Sequence, residues 1–263
     1  MCGSRCEKVG LITPAICDAW GMTKTGPYRL MMQQQPALVL HVRPYRETSA
    51  IVQFMTKDNG RISGVARGVR GTAKRVNSIQ PFSLGTLSYF GRNNLVNVSK
   101  FDVAHGFTLR GDALFAGFYI LELLNRLVAE RQKEPVIFAG AVSALTAMEA
   151  GRELQAGLRC FELELLEQLG YEVVFDREAE ADMAIDPDHY YRYKAQFGFA
   201  RVADASVIKS DPALIQGQWL HSIQRRDFSH AHVRRVAKYI TRQALQPLLG
   251  DKPLVSRKML GSR

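Results

Sequence analysis

A chain of 263 residues that is 46% hydrophobic and 23% charged is long enough to bury a core and has the ordinary composition of a globular protein. Its 35 Lys and Arg against 25 Asp and Glu give a formal charge of +10, a surplus whose placement says more than its size. No apolar run approaches the ~20 residues that span a bilayer. Residues 8–22 lack a signal-type apolar core, and Cys2, Cys6, Cys17 and Cys160 have neither disulfide-framework nor zinc-site spacing. Membrane spanning, secretion and a cysteine-held metal are therefore not expected. Reduced thiols in the cytoplasm are.

Residues 1–35 read as an irregular, flexible N-terminal extension, or as sequence ahead of a true start at Met31 or Met32. Five strands are then predicted: Ala37–Arg43, Thr48–Thr56, Gly60–Arg67, Phe82–Phe90 and Leu95–Val103. They alternate apolar and polar residues and are rich in β-branched and aromatic side chains. Asp58-Asn59-Gly60 supplies the positive φ of a tight hairpin turn, and Gly91-Arg92-Asn93-Asn94 supplies a second turn. Five short strands over about 65 residues fit a small, partly open barrel of OB type, with an SH3-like barrel as the competitor on pattern alone.

From Asp112 the period changes to that of a helix. Leu114, Phe118, Leu121, Leu124 and Val128 share one face; Pro135 opens a second helix that Gly151 stops; a third runs from Leu154 to Leu169 and ends at Gly170. Residues 171–202 are irregular or strand-like, at Tyr171–Phe175 and Tyr190–Tyr193, and hold no cysteine. A last amphipathic helix covers roughly His230–Leu249, ended by Pro247 and Gly250. The expected fold class is α+β. An OB-fold DNA-binding domain over 36–111 precedes a mainly helical domain over 112–263, with a small cysteine-free insert at 171–202.

Charge follows this plan. Residues 1–36, 37–112, 113–182 and 183–263 carry net charges of +2, +7, −7 and +8. Two basic regions flank an acidic one, a pattern that suits a polyanion at the ends and a scaffold or a basic partner in the middle. Between Arg61 and Arg75 stand five cations and no carboxylate. Arg43, Arg46, Arg67, Arg70, Lys74, Arg75 and Arg92 are the candidate phosphate contacts of the barrel, with Tyr45 or Tyr89 available to stack a base. Arg235, Lys238 and Arg242 share a face of the last helix and extend the set, and Lys252, Arg257 and Lys258 add charge beyond it.

Enzyme signatures are missing. There is no G-x-x-x-x-G-K-[ST] and no H-E-x-x-H, and Gly64-x-x-x-Gly68-x-x-Gly71 leads into a basic loop rather than a helix. Glu162, Glu164 and Glu167 read as a solvated helix face. His230 and His232, two apart, are expected on different faces of a helix, unable to share a metal. No catalytic residue, cofactor or metal site is assigned.

An ordered series of motifs resembles the RecO family of bacterial DNA repair proteins. It begins with Pro36-Ala-Leu-Val-Leu-His-Val-Arg-Pro-Tyr-Arg-Glu-Thr-Ser, Asp58-Asn-Gly-Arg-Ile, Val65-Ala-Arg-Gly-Val-Arg and Gln80-Pro-Phe. It continues through Gly117-Phe-Tyr-Ile-Leu-Glu-Leu-Leu-Asn-Arg and Leu158-Arg-Cys-Phe-Glu-Leu-Glu-Leu-Leu-Glu-Gln-Leu-Gly-Tyr to Leu245-Gln-Pro-Leu-Leu-Gly-Asp-Lys-Pro-Leu-Val-Ser-Arg. The series covers about residues 36–260, and its order is far more specific than any one piece.

The resemblance implies an OB fold and then a helical domain that bind single- and double-stranded DNA and anneal complementary strands without nucleotide hydrolysis. It implies help to the RecR protein in loading RecA onto gaps coated with single-stranded-DNA-binding protein (SSB), the work of the RecFOR pathway in the cytoplasm at the nucleoid. Arg159 matches a basic position at which the family meets the acidic C-terminal tail of SSB, although it could equally pair with Glu162 on its own helix. Many members carry a four-cysteine zinc module after the Leu-Gly-Tyr segment. Here that module must hold by packing, through Tyr190, Tyr191, Tyr193 and Phe199.

Neutralising phosphates is all the chemistry that this reading requires. An RNA-binding OB protein linked to translation is the alternative, and a metal-dependent nuclease stands behind it. Annealing without ATP separates the first from both; preference for structured RNA favours the second, and magnesium-dependent cleavage the third.

Overall fold

The computed structural model describes residues 32–69, 79–91, 94–203, 211 and 213–256. Five strands, β1 (Gln33–Tyr45), β2 (Ser49–Thr56), β3 (Gly60–Ala66), β4 (Ser83–Phe90) and β5 (Leu95–Gly106), close into a barrel of order β1-β2-β3-β5-β4. All neighbours are antiparallel except β3 and β5. This is the OB arrangement expected from the strand spacing, and the SH3-like alternative is discarded. The barrel interior is Val39, Val52, Phe54, Ile62, Leu87, Tyr89, Val96 and Phe101, the inward half of each alternating strand.

β1 starts at Gln33, four residues ahead of the predicted Ala37, because its glutamines have polar work at the barrel end. Gln33 pairs with Tyr89 across the ladder that closes the barrel. The Tyr89 hydroxyl donates to Gln33 Oε1 at 2.5 Å, and accepts from Gln35 Nε2 at 2.9 Å and Asn59 Nδ2 at 2.7 Å.

The Asp58-Asn59-Gly60 turn forms as read. Thr56 pairs with Gly60, whose φ is +58°, and Thr56 Oγ1 donates to the Gly60 carbonyl at 2.7 Å. A Cβ at Gly60 would lie 1.9 Å from the Gln132 carbonyl oxygen. Gly60→Ala is accordingly expected to cost about 1–3 kcal/mol through strain and collision, read as a lower urea midpoint at unchanged slope.

Helices α1 (Gly111–Leu127), α2 (Pro135–Glu149) and α3 (Leu154–Gln168) follow, with Pro135 in the first turn of α2 and Gly170, at φ +81°, just past the end of α3. The insert is a small sheet of β6 (Tyr190–Lys194), β7 (Gly198–Val202) and β8 (Ile215–Gln216), ordered β7-β6-β8. Tyr171–Phe175, predicted strand-like, forms no strand; Val173 and Phe175 are instead buried in the core. Tyr191, Tyr193 and Phe199 are buried there, and Phe175 and Tyr193 flank Phe199 at 5.6 and 5.1 Å between ring centroids. Aromatic packing holds the insert.

Two further helices are described: α4 (Gly217–Gln224), not foreseen, and α5 (Ala231–Leu249), which runs through Pro247 and ends at Gly250. α5 packs on α1, α3 and α4. One large apolar cluster joins Leu38, Leu40, Met55 and Phe82 of the barrel side to the buried faces of α1, α2, α3 and α5.

Polar ties reinforce that join. The α1–α2 loop grips the β2–β3 hairpin: Arg61 Nε donates to the Val128 carbonyl at 3.1 Å, and its guanidinium pairs with Glu130 at 3.1 Å. Glu149, at the end of α2, accepts the Thr108 N–H at 2.6 Å and meets His105 Nε2 of β5 at 2.7 Å. These partners, the Thr108 N–H first and His105 second, hold the Glu149 carboxyl below its ordinary value of 4.5. A lowered acid stabilises the fold fully above its unfolded value and loses that contribution as pH falls below 4.5 and through the folded value. Glu149→Gln is therefore expected to lower the melting temperature near neutrality and to match the wild type below that acidic window, so that the fall across it is flatter.

Candidate nucleic-acid interface

Strand register brings several predicted cations to one end of the barrel. Arg43 on β1 faces Ile51 on β2, which faces Val65 on β3, which faces Asn97 on β5. One row further, Tyr45 pairs with Ser49, and Arg67 follows the last β3 residue of the ladder, Ala66, which pairs with Ala50 and Val98. Arg43, Arg46 and Arg67 are exposed, and the Arg46 guanidinium stands 5.2 Å over the Tyr45 ring. Arg46 has φ +55°, which carries the chain through the β1–β2 turn. Arg70, Lys74, Arg75 and Arg92 lie outside the described residues, as do Arg257 and Lys258.

A cleft of about 380 Å³ opens at this end, where the chain leaves β3. Its apolar wall is Val69, Ile79, Val98 and Phe101, and Arg67 and Lys100 stand in its lining. That volume admits a nucleotide-sized group beside apolar side chains and two cations, with the Asp102 carboxylate also in the lining. In the sequence Lys100 is a lone cation on a strand, outside the Arg61–Arg75 cluster. Its side chain is 68% exposed and pairs with Asp102 at 2.7 Å, a surface bond of the kind that contributes little and yields readily to phosphate.

Other candidates are placed elsewhere. Tyr89 is fully buried and cannot stack a base; Tyr45 is partly exposed. Arg61 is committed to Glu130 and the Val128 carbonyl. Arg235 and Arg242 are exposed along α5 with Lys238 half-buried between them, on the helical layer rather than the barrel.

Arg159 is 3% exposed and Glu162 1%, so Glu162 does not belong to the solvated face expected of it. Arg159 donates to Glu162 Oε1 at 2.9 Å; Tyr119 donates to the same oxygen at 2.7 Å; Thr241 donates to Oε2, and Arg159 reaches Thr241 Oγ1 at 3.5 Å. Period-counting alone put all three glutamates outside, because no helix-period rule sees a buried arginine one turn away. Burial first, then the Arg242 and Arg159 charges, push the Lys238 ammonium below its ordinary value of 10.5, and the Glu162 charge opposes them. An acceptor arriving at Lys238 and Arg242 relieves that crowding.

OB barrels are an architecture that often binds single-stranded nucleic acid, and a cleft holding Arg67 and Lys100 suits that use. Family comparison gives the finer class. Residues 31–107 match the model of the recombination protein O N terminal region, and residues 108–258 that of its C terminal region. The chain is 36% identical over 232 residues to a DNA repair protein RecO of Haemophilus influenzae, covering 88% of this chain and 96% of that protein. It is 39% identical over 230 residues to the DNA repair protein RecO of Pseudomonas putida, covering 87% and 97%. The counterpart in Psychromonas ingrahamii is 37% identical over 229 residues, covering 86% and 97%. The chain belongs to the RecO family of DNA repair proteins. Among the described residues no helix is long and apolar enough to cross a membrane.

Proposed function

We propose that this protein is a non-enzymatic recombination mediator that binds single- and double-stranded DNA and anneals complementary strands. The observation that carries the reading is the cation-lined cleft at the barrel end, with Arg43, Arg46, Arg67 and Lys100 on neighbouring strands and turns. Arg70, Lys74, Arg75 and Arg92 belong to the same proposed surface by sequence, and Arg235, Lys238 and Arg242 to a second one on α5. Two DNA backbones repel; cations that displace their condensed counterions lower that repulsion, and base pairing then supplies the driving force. Neither a general base nor a metal enters.

Family membership supports three further assignments within this proposal. The protein assists RecR in loading RecA, it acts on gaps coated with SSB, and it works in the cytoplasm at the nucleoid. In this reading the acidic SSB tail competes with DNA for Lys238 and Arg242, and Arg159, 3% exposed and paired with Glu162, makes no direct contact with it. Purified protein is expected to speed the annealing of complementary oligonucleotides without ATP, followed by fluorescence quenching of a dye pair. Preference for structured RNA, or cleavage that requires magnesium, counts against it.

A further inference from the structure

The corner between α4 and α5 brings together rings that sequence spacing had separated. Trp219, partly buried on α4, has its ring centroid 6.1 Å from that of His230 and 5.0 Å from that of His232, with the imidazoles tilted 55° and 54° to the indole. His230 is the residue before α5 rather than a member of it, at φ −78° and ψ 130°, so two histidines two positions apart reach one indole. Both imidazoles are exposed. Arg235, also exposed, brings its guanidinium to 3.5 Å from His232 Nδ1. The carboxylates of the corner have their own partners: Asp227 accepts from the Ser229 N–H and hydroxyl, and Glu153 pairs with Arg234 at 3.9 Å.

Indole, imidazole and guanidinium planes stack on any unpaired base, because every base offers a π-face whatever its hydrogen-bonding edge. Tryptophan and arginine also mark protein interfaces. The run along α5 decides between the two. His232, Arg235, Lys238 and Arg242 follow one another at helical spacing over about 15 Å at 1.5 Å per residue. Three cations, Arg235, Lys238 and Arg242, on a helix that carries no carboxylate fit the phosphates of a strand better than an apolar protein patch.

We infer that the corner formed by Trp219, His230, His232 and Arg235 is a second contact for single-stranded DNA, stacking unpaired bases at the end of the cationic run of α5. The inference rests on the DNA-binding reading above and adds to it a site away from the barrel cleft.

Trp20 and Trp219 are the two tryptophans of the chain, so Trp20→Phe leaves an emission that reports on this corner alone. Titrating that protein with a dye-labelled dT oligonucleotide should quench the emission at the same midpoint as the rise in dye anisotropy. His230→Ala with His232→Ala should weaken binding by about fivefold or more, the loss of one stacked base, at unchanged melting temperature. His230→Phe with His232→Phe, which keeps the rings, should restore it. Emission and affinity that both ignore these changes, in a protein that still binds the oligonucleotide, overturn the corner and leave the barrel reading in place. Quenching without any loss of affinity in the alanine variant also overturns it. A wild-type protein that binds no oligonucleotide removes both readings.

Discussion

Glu162→Ala is expected to destabilise the protein by about 3–5 kcal/mol, the largest effect of any single change considered for this fold. The glutamate lies at the meeting point of α1, α3 and α5. Its two oxygens accept from Tyr119, Arg159 and Thr241, one donor from each helix. Removing it leaves a guanidinium that is 3% exposed without a counter-charge, and its Nε already lacks a protein partner. Burying an uncompensated charge costs more than the pair gained when it formed, so the loss exceeds that of an ordinary salt bridge. At about 2–4 °C per kcal/mol for a domain of this size, the melting temperature should fall by roughly 10 °C. Arg159→Met combined with Glu162→Leu should recover most of the loss, because two well-packed apolar side chains need no desolvation. A calorimetric scan of the four proteins of that cycle measures the coupling directly. Additive losses would mean that the two groups do not sense each other's charge.

The second large effect is on DNA. Changing Arg43, Arg46, Arg67 and Lys100 together to alanine should make the log–log dependence of single-strand binding on salt shallower by about 3, near 0.7 for each phosphate contact removed. The loss should be uniform across oligonucleotide sequences, since phosphate contacts position a strand and do not read it. Stability should barely move, because all four side chains are exposed and the Lys100–Asp102 ion pair lies at the surface. Anisotropy of a labelled oligonucleotide over a series of KCl concentrations supplies both slope and intercept. An unaltered slope would take the DNA off this end of the barrel. The same series on Arg235, Lys238 and Arg242 changed together apportions the remaining slope to α5.

Strand and helix spans were legible because the signals were local. The period of two in β3, the Asn59-Gly60 turn, Pro135 and Gly170 each act within a few residues, and the elements begin and end close to where those residues stand. What failed to show was non-local. The glutamines of β1 look like tail until the Tyr89 hydroxyl is set among them. Glu162 looks solvated until α5 delivers Thr241 and α1 delivers Tyr119. For the candidate site, the cations on strands were readable one by one, yet their convergence depends on the β1-β2-β3-β5 order that no single segment encodes. Lys100 and Trp219 were overlooked for that reason: each matters through a neighbour far along the chain.

The grip of the α1–α2 loop on the β2–β3 hairpin has a thermodynamic corollary. Arg61, Gly60 and the backbone from Val128 to Gln132 tie the hairpin end of the barrel, opposite the cleft, to α1 and α2. With an apolar cluster shared across the same boundary, melting either side exposes the other. Ligand held at the barrel mouth is then felt as slower amide exchange deep in α1 and α2, so occupancy at one end is legible as rigidity at the other.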